Sequence, residues 1–261
     1  SEMETNHAVI VTGASQGLGA ATALCLAAKG AAVSLVARSE GALLVVEALL
    51  QKSGGQAMAI QADVADSTAC SRIVEKTLER WGRLDALVNN AGILGPLAYT
   101  ADSDPSAWLK TLEVNVLGPY HMARAGLPWL RKSAGRIVNV SSGASATALA
   151  AAGAYCVSKA ALNHFTQILA AEEPGVTSVA VRPGVVDTPM QTTLRETAPS
   201  VMPRELAGYY EELKAAGNLE PPEVPGRSIA WLALHAPSDW SGRFLNYDDP
   251  EIVTPLSAWV N

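Results

Sequence analysis

The chain presents a tyrosine and a lysine four residues apart in Tyr155-Cys-Val-Ser-Lys159, with a serine pair, Ser141 and Ser142, thirteen to fourteen positions upstream. On a helix, residues four apart share one face, so the phenol and the ammonium are predicted to be neighbours. A free tyrosine has a pKa of about 10, too high for an efficient base at neutral pH. A cation at ~4 Å in an effective dielectric of about 20 contributes roughly 4 kcal/mol towards the phenolate before desolvation is subtracted. Proton transfer at a substrate oxygen is the chemistry such a pair can do, with a serine hydroxyl, preferably Ser142 over its rival Ser141, holding that oxygen and stabilising a developing alkoxide.

A second constellation is Thr12-Gly-Ala-Ser-Gln-Gly-Leu-Gly19. Glycines at 13, 17 and 19 permit a tight turn and close approach of backbone to a ligand. A helix beginning there offers free N–H groups and a positive dipole end to a pyrophosphate. The spacing is GxxxGxG and not GxGxxG. Further on, where an acidic residue would bind a ribose 2′-hydroxyl, stand Arg38 and Ser39. Arginine pairs with phosphate through two parallel hydrogen bonds, so NADP(H) is expected over NAD(H). Arg38 stacking on adenine is the alternative.

These residues need elements to hold them. Apolar runs at 8–12, 32–37, 57–62, 86–89, 136–140 and 176–181 read as strands; 17–29, 40–52, 67–81 and 154–171 read as helices. A long helical stretch runs from about 105 to 132, with Pro119 and Pro128 as expected irregularities. Strands apolar on both faces, alternating with helices, predict an α/β fold: one Rossmann-type, doubly wound parallel sheet flanked by helices. No break divides the chain, so residues 1–261 are expected to form one catalytic domain. A proline-punctuated stretch, 187–222, is expected to be a partly helical lid beyond a strand's C-terminal end.

In order and spacing these motifs resemble the short-chain dehydrogenase/reductase family along nearly the whole chain. The matching residues are Thr12–Gly19, Asp63-Val64, Asn89-Asn-Ala-Gly92, Asn115, Ser142, Tyr155 with Lys159, and Pro183-Gly184 followed by Val186 and Thr188. The resemblance implies a carbonyl–alcohol oxidoreductase with Ser142, Tyr155, Lys159 and Asn115 as catalytic residues. It also implies a cofactor held by Gly13, Ser15, Gln16, Gly17, Leu18 and Gly19, with Arg38 and Ser39 beside it. Asp63 and Val64 would bind adenine; Asn90, Ala91 and Gly92 would line the adenosine side. Pro183, Gly184, Val186 and Thr188 would flank the nicotinamide, and Tyr155 and Lys159 its ribose. Asn115 would bind a water of a proton relay, or simply satisfy a kinked helix. The last strand region ends in Asn246-Tyr-Asp-Asp249, which looks more like the sepiapterin-reductase-like and fungal reductase branches than the acyl-carrier reductases.

A second YxxxK, Tyr210–Lys214, has no serine-ended strand before it and is read as an exposed helix face. Substrate-pocket candidates are Leu94, Trp108, Ala144, Leu149, Met190, Leu194 and Tyr209, mostly apolar, which suits a small or medium apolar ketone or aldehyde. The resemblance further implies a dimer or tetramer built on 105–132 and 154–171, where Ala160, Ala161, Ala170 and Ala171 allow close packing.

Composition narrows the remaining classes. Hydrophobic residues make up 49 % and charged residues 17 % of the 261, which fits a compact fold, and the net charge of −6 offers no basic surface for nucleic acid or anionic membrane. Three cysteines without a CxxC, and histidines without ligand spacing, predict neither disulfides nor a metal and suit a reducing, cytoplasmic setting. The start, Ser1-Glu-Met-Glu-Thr-Asn6, is polar and carries no signal-peptide pattern. Competing readings are a non-catalytic NADP(H)-binding regulator, and an epimerase or dehydratase on the same fold.

Overall fold

In a computed structural model of the chain, residues 6–259 are described, so the first five residues, on which part of the polar-start reading falls, lie outside the description. Seven parallel strands form one sheet: β1 (Ala8–Thr12), β2 (Ala32–Ala37), β3 (Gln56–Gln61), β4 (Ala86–Asn89), β5 (Arg136–Val140), β6 (Thr177–Arg182) and β7 (Phe244–Asn246), in spatial order β3-β2-β1-β4-β5-β6-β7. The order reverses between β1 and β4, where open α/β sheets leave a crevice at the carboxyl ends of the strands.

Alternate side chains feed two cores. Val9, Val11, Val33, Leu35, Val138 and Val140 face one layer, formed by α1 (Gly17–Ala28), α2 (Glu40–Lys52), α9 (Glu223–His235) and α10 (Pro250–Trp259). Ile10, Val36 and Ile137 face the other, formed by α3 (Ser67–Trp81), α5 (Gly118–Ser133) and α6 (Gly153–Glu172). That period of two on strands covered on both sides explains their unbroken apolar runs. A chain of buried amides ties the sheet to α6: Asn89 donates to Asn139 at 2.8 Å, and Asn139 donates to Thr166 at 3.0 Å.

The sequence boundaries hold to within a residue for most elements. The stretch 105–132 behaves differently: α4 (Pro105–Leu112) passes through a π-helical turn, Glu113–Leu117, into α5. The break therefore precedes Pro119, which sits in the first turn of α5 where a missing N–H costs least, while Pro128 stays inside the helix. Beyond β6 the proline-rich stretch folds as α7 (Pro189–Val201) and α8 (Arg204–Ala215), joined by Met202 and Pro203. The expected stretch ends where α9 begins: Pro222 is the N-cap of that helix, most of which is buried against the sheet. No helix among the described residues is long and apolar enough to cross a membrane.

Candidate functional site

A cleft of about 720 Å³ opens at the carboxyl ends of the strands. Its first wall is the glycine turn between β1 and α1. A Cβ on Gly19 would stand 2.1 Å from the Gly13 carbonyl oxygen, and one on Gly13 would stand 2.8 Å from the Asn90 amide nitrogen. Gly17 has φ +55°, and a Cβ there would stand 3.3 Å from the Thr188 methyl group. These glycines are thus required by backbone packing as well as by ligand approach. Asn90 pins the turn from β4, donating to the carbonyls of Thr12 and Gly13 at 3.1 Å each, and the Thr12 hydroxyl accepts from the backbone of Asn90 and Ala91. No side chain caps α1, whereas Asp66 caps α3 and Asp104 caps α4; the first N–H groups of α1 stay available to the cleft. This cradle fits the pyrophosphate of a dinucleotide.

Along the rim lie Arg38, Ser39 and Asp63. Arg38 is exposed and joins no ion pair among the described residues; Ser39 starts α2 without using its hydroxyl as a cap. Glu40, the next residue, does not line the cleft. Asp63 accepts from the Ala65 backbone at 2.9 Å and stands 3.5 Å from the Lys110 ammonium. Pro183, Gly184, Val186 and Thr188 close the opposite side; Gly184 has φ +76°, and Tyr247 packs directly against it. All the residues expected to hold a cofactor, except Gly19 behind the turn, line this one cleft.

Ser142, Tyr155 and Lys159 meet at the cleft's centre. Ser142, leaving β5, accepts from the Ala144 backbone at 3.1 Å and is hydrogen-bonded to Tyr155. Ser141 also borders the cleft; its backbone pairs with Val181, and its buried hydroxyl has no partner among the described residues. Lys159 donates to the Val140 carbonyl at 2.9 Å and lies 5.6 Å from the centre of the Tyr155 ring. The electrostatics differ from the sequence expectation. Burial pushes the Tyr155 phenol up to about 12, outweighing the Ser142 hydrogen bond that pulls it down. Burial also pulls the Lys159 ammonium down to about 8. Desolvation wins at both groups because neither charge is paired with an opposite one.

Asn115 sits in the π turn, buried. It accepts from the Ile93 backbone at 2.8 Å and donates to the Ile93 carbonyl at 2.9 Å and to Ser158 at 3.0 Å. Both its donors are occupied, so it holds the Ile93 backbone; a Cβ on neighbouring Gly92 would stand 3.4 Å from the Asn115 amide oxygen and 3.5 Å from the Lys159 ammonium, which puts both groups beside that glycine.

Past Tyr155 the cleft becomes apolar. Leu94, Leu149, Met190 and Leu194 line it as expected, but Ala144, Trp108 and Tyr209 do not. Ala144 is buried in the turn after Ser142, Trp108 bonds Ser103 and packs on Gly153, and Tyr209 is 49 % exposed. The residues missed are Ala152, Val185, Gln191, Met202 and Tyr210. Tyr210 corrects the reading of Tyr210–Lys214 as an exposed face: its ring is 7 % exposed and faces the cleft, while Lys214 points out to Asp187 at 2.9 Å. The spacing Leu206, Tyr210, Leu213 marks the apolar stripe of α8 and carried that signal.

Comparison with known proteins gives a consistent set of likenesses. The family model for short chain dehydrogenases matches residues 7–199. A benzil reductase, (S)-benzoin forming, of Saccharomyces cerevisiae is 34 % identical, covering 94 % of this chain and 97 % of the relative. The crystal structure of a short chain dehydrogenase/reductase from the same yeast superposes with a TM-score of 0.91 at 36 % identity, covering 95 % of this chain and 98 % of the other. An actinorhodin polyketide ketoreductase solved with NADPH superposes at 0.85 with 29 % identity, over 93 % and 96 % of the two chains.

Proposed function

The chain belongs to the short-chain dehydrogenase/reductase family of oxidoreductases, and on that premise we propose that it is an NADP(H)-dependent reductase of uncharged, apolar ketones or aldehydes with Tyr155 as proton donor. The observation that carries this reading is the placement of the Tyr155 phenol, hydrogen-bonded to Ser142, between the glycine turn and an apolar pocket. At neutral pH a phenol held near 12 is in the donating form, so reduction needs no prior activation of the tyrosine. Oxidation of an alcohol would require the phenolate that burial opposes.

Bound NADPH would supply the hydride. The chain's residues do the rest. Ser142 holds the carbonyl oxygen against Tyr155, Tyr155 gives it a proton, and the Lys159 ammonium stabilises the phenolate left behind. Lys159 would also hold the nicotinamide ribose hydroxyls, and Asn115 supports the Gly92–Ile93 backbone beside it. Arg38 and Ser39 favour a 2′-phosphate. The NADPH of one structural neighbour and the benzil of one relative support the cofactor and the apolar carbonyl class. The test is a carbonyl screen with NADPH and NADH side by side; absence of nicotinamide turnover with all carbonyls would overturn the reading.

The lowered Lys159 pKa sets a pH dependence. Its charge is present below about 8 and is lost above it, well before an ordinary lysine would titrate. Because kcat/KM reports groups of the free enzyme, kcat/KM for carbonyl reduction is expected to be level below about pH 8 and to decline above it. A profile flat to pH 10 would remove Lys159 from the proton path.

The single catalytic unit is proposed to work as a dimer or tetramer, in a reducing, cytoplasmic compartment that suits its three free cysteines. Val157, Phe165 and Ile168 form a stripe on α6, and Tyr120 of α5 packs edge-on to Phe165 at 6.3 Å. Val157, Ile168 and Tyr120 are exposed in the isolated chain. A second copy covering this face accounts for the exposure. Size-exclusion with light scattering is expected to return at least twice the chain mass, and Val157→Glu to reduce it; a monomeric unaltered protein contradicts the proposal.

A further inference from the structure

We propose that Tyr210 is a specificity-determining residue that donates a hydrogen bond to a second substrate oxygen, on the carbon next to the carbonyl that Tyr155 protonates, so that vicinal dicarbonyl compounds are the preferred substrates. This rests on the reductase reading and adds a substrate class to it.

Tyr210 lines the cleft on its apolar side, in one cluster with Ala152 and Met202, onto which Leu149, Cys156 and Leu194 pack. Only 7 % of the residue is exposed, and its hydroxyl opens to the cleft with no protein partner among the described residues. A hydroxyl that faces a cleft without a protein partner is free to donate to a ligand that displaces the water there. The ring is held in place: Tyr209 meets it edge-on at 5.3 Å, and the Lys214–Asp187 ion pair fastens α8 to the segment after β6. Beyond burial, Cys156 and Tyr210 add to the upward shift at Tyr155, and Tyr209 and Cys156 add to that at Tyr210, so the two phenols lie around one side chain, that of Cys156, in the cleft they both line.

Other polar groups there are few. The Gln191 side-chain oxygen accepts from Arg195 at 2.9 Å, and no charged side chain lines this end beyond Lys159. An uncharged ligand is therefore required, and one bearing a single oxygen, held by Ser142 and Tyr155, leaves Tyr210 desolvated and unpaired. A site built to hydrogen-bond a substrate group discriminates against the analogue that lacks it. In the step itself, the reacting carbonyl carbon gains the hydride supplied by reduced nicotinamide, its π pair moves to oxygen, and that oxygen takes the Tyr155 proton. The adjacent carbonyl accepts the Tyr210 hydrogen bond and is unchanged; the products are an α-hydroxyketone and oxidised nicotinamide.

The experiment compares kcat/KM for 1-phenyl-1,2-propanedione with kcat/KM for 2,2,2-trifluoroacetophenone, an activated monoketone, both with NADPH. Taking the ratio within each variant cancels intrinsic electrophilicity and any general loss of folded enzyme. Loss of one hydrogen bond corresponds to about a tenfold fall, so Tyr210→Phe is expected to lower the dione-to-monoketone ratio about tenfold, and Tyr209→Phe, on the exposed neighbour, to leave the ratio within twofold. A ratio unmoved by Tyr210→Phe, or moved equally by both variants, overturns the role of Tyr210. Turnover of neither ketone by the unaltered protein overturns the reductase reading itself.

Discussion

Tyr155→Phe is expected to lower kcat for carbonyl reduction by about a thousandfold, within the range that one positioned acid supplies, while leaving NADPH affinity nearly unchanged. The substitution keeps the ring and removes only the hydroxyl that bonds Ser142. It also removes a buried polar group whose one protein partner is a serine already bonded to the Ala144 backbone, so the folded state loses little. The two readouts separate a proton donor from a packing residue: the donor's loss appears in kcat with melting temperature and NADPH titration held, whereas a packing defect moves all three. Residual activity within tenfold of the unaltered protein would mean that another group of the cleft, such as Ser142 or Tyr210, delivers the proton.

A second large effect is expected at the cofactor rim. Arg38→Ala should reduce kcat/KM for NADPH about ten- to hundredfold and change that for NADH less than threefold. The estimate follows from charge-assisted hydrogen bonds of roughly 1.5–3 kcal/mol, with the lower end favoured because Arg38 is exposed and screened by salt. Arg38→Asp adds repulsion against a 2′-phosphate and an acceptor for a 2′-hydroxyl, and should invert the preference. Raising ionic strength is expected to narrow the NADPH advantage of the unaltered protein. Equal losses with both nucleotides would instead assign Arg38 to stacking on adenine.

Much of the site was legible in local pattern. The glycine turn, the strand before it and the helix after it follow from residues a few positions apart, and so does the shared face of Tyr155 and Lys159 on α6. Apolar runs located the first six strands because strands buried on both faces need no alternation. Where the local pattern misled, a longer-range contact decided. The helix 105–132 breaks at Asn115 because that side chain is drawn to Ile93 and Ser158, partners 22 and 43 residues away. Tyr210 is buried because α7 and α8 fold back over the mouth of the cleft.

Sequence by itself determined the fold class, the glycine turn between β1 and α1 and the shared face of Tyr155 and Lys159, since each depends on short-range spacing and backbone preference. Only the tertiary structure decided what surrounds that pair. The order β3-β2-β1-β4-β5-β6-β7 brings Gly13, Asn90 and Ser142 to one crevice from segments far apart in the chain. Burial there reverses the expected sign of the Tyr155 shift and depresses Lys159, and desolvation is a property of the whole enclosure that no four-residue spacing contains.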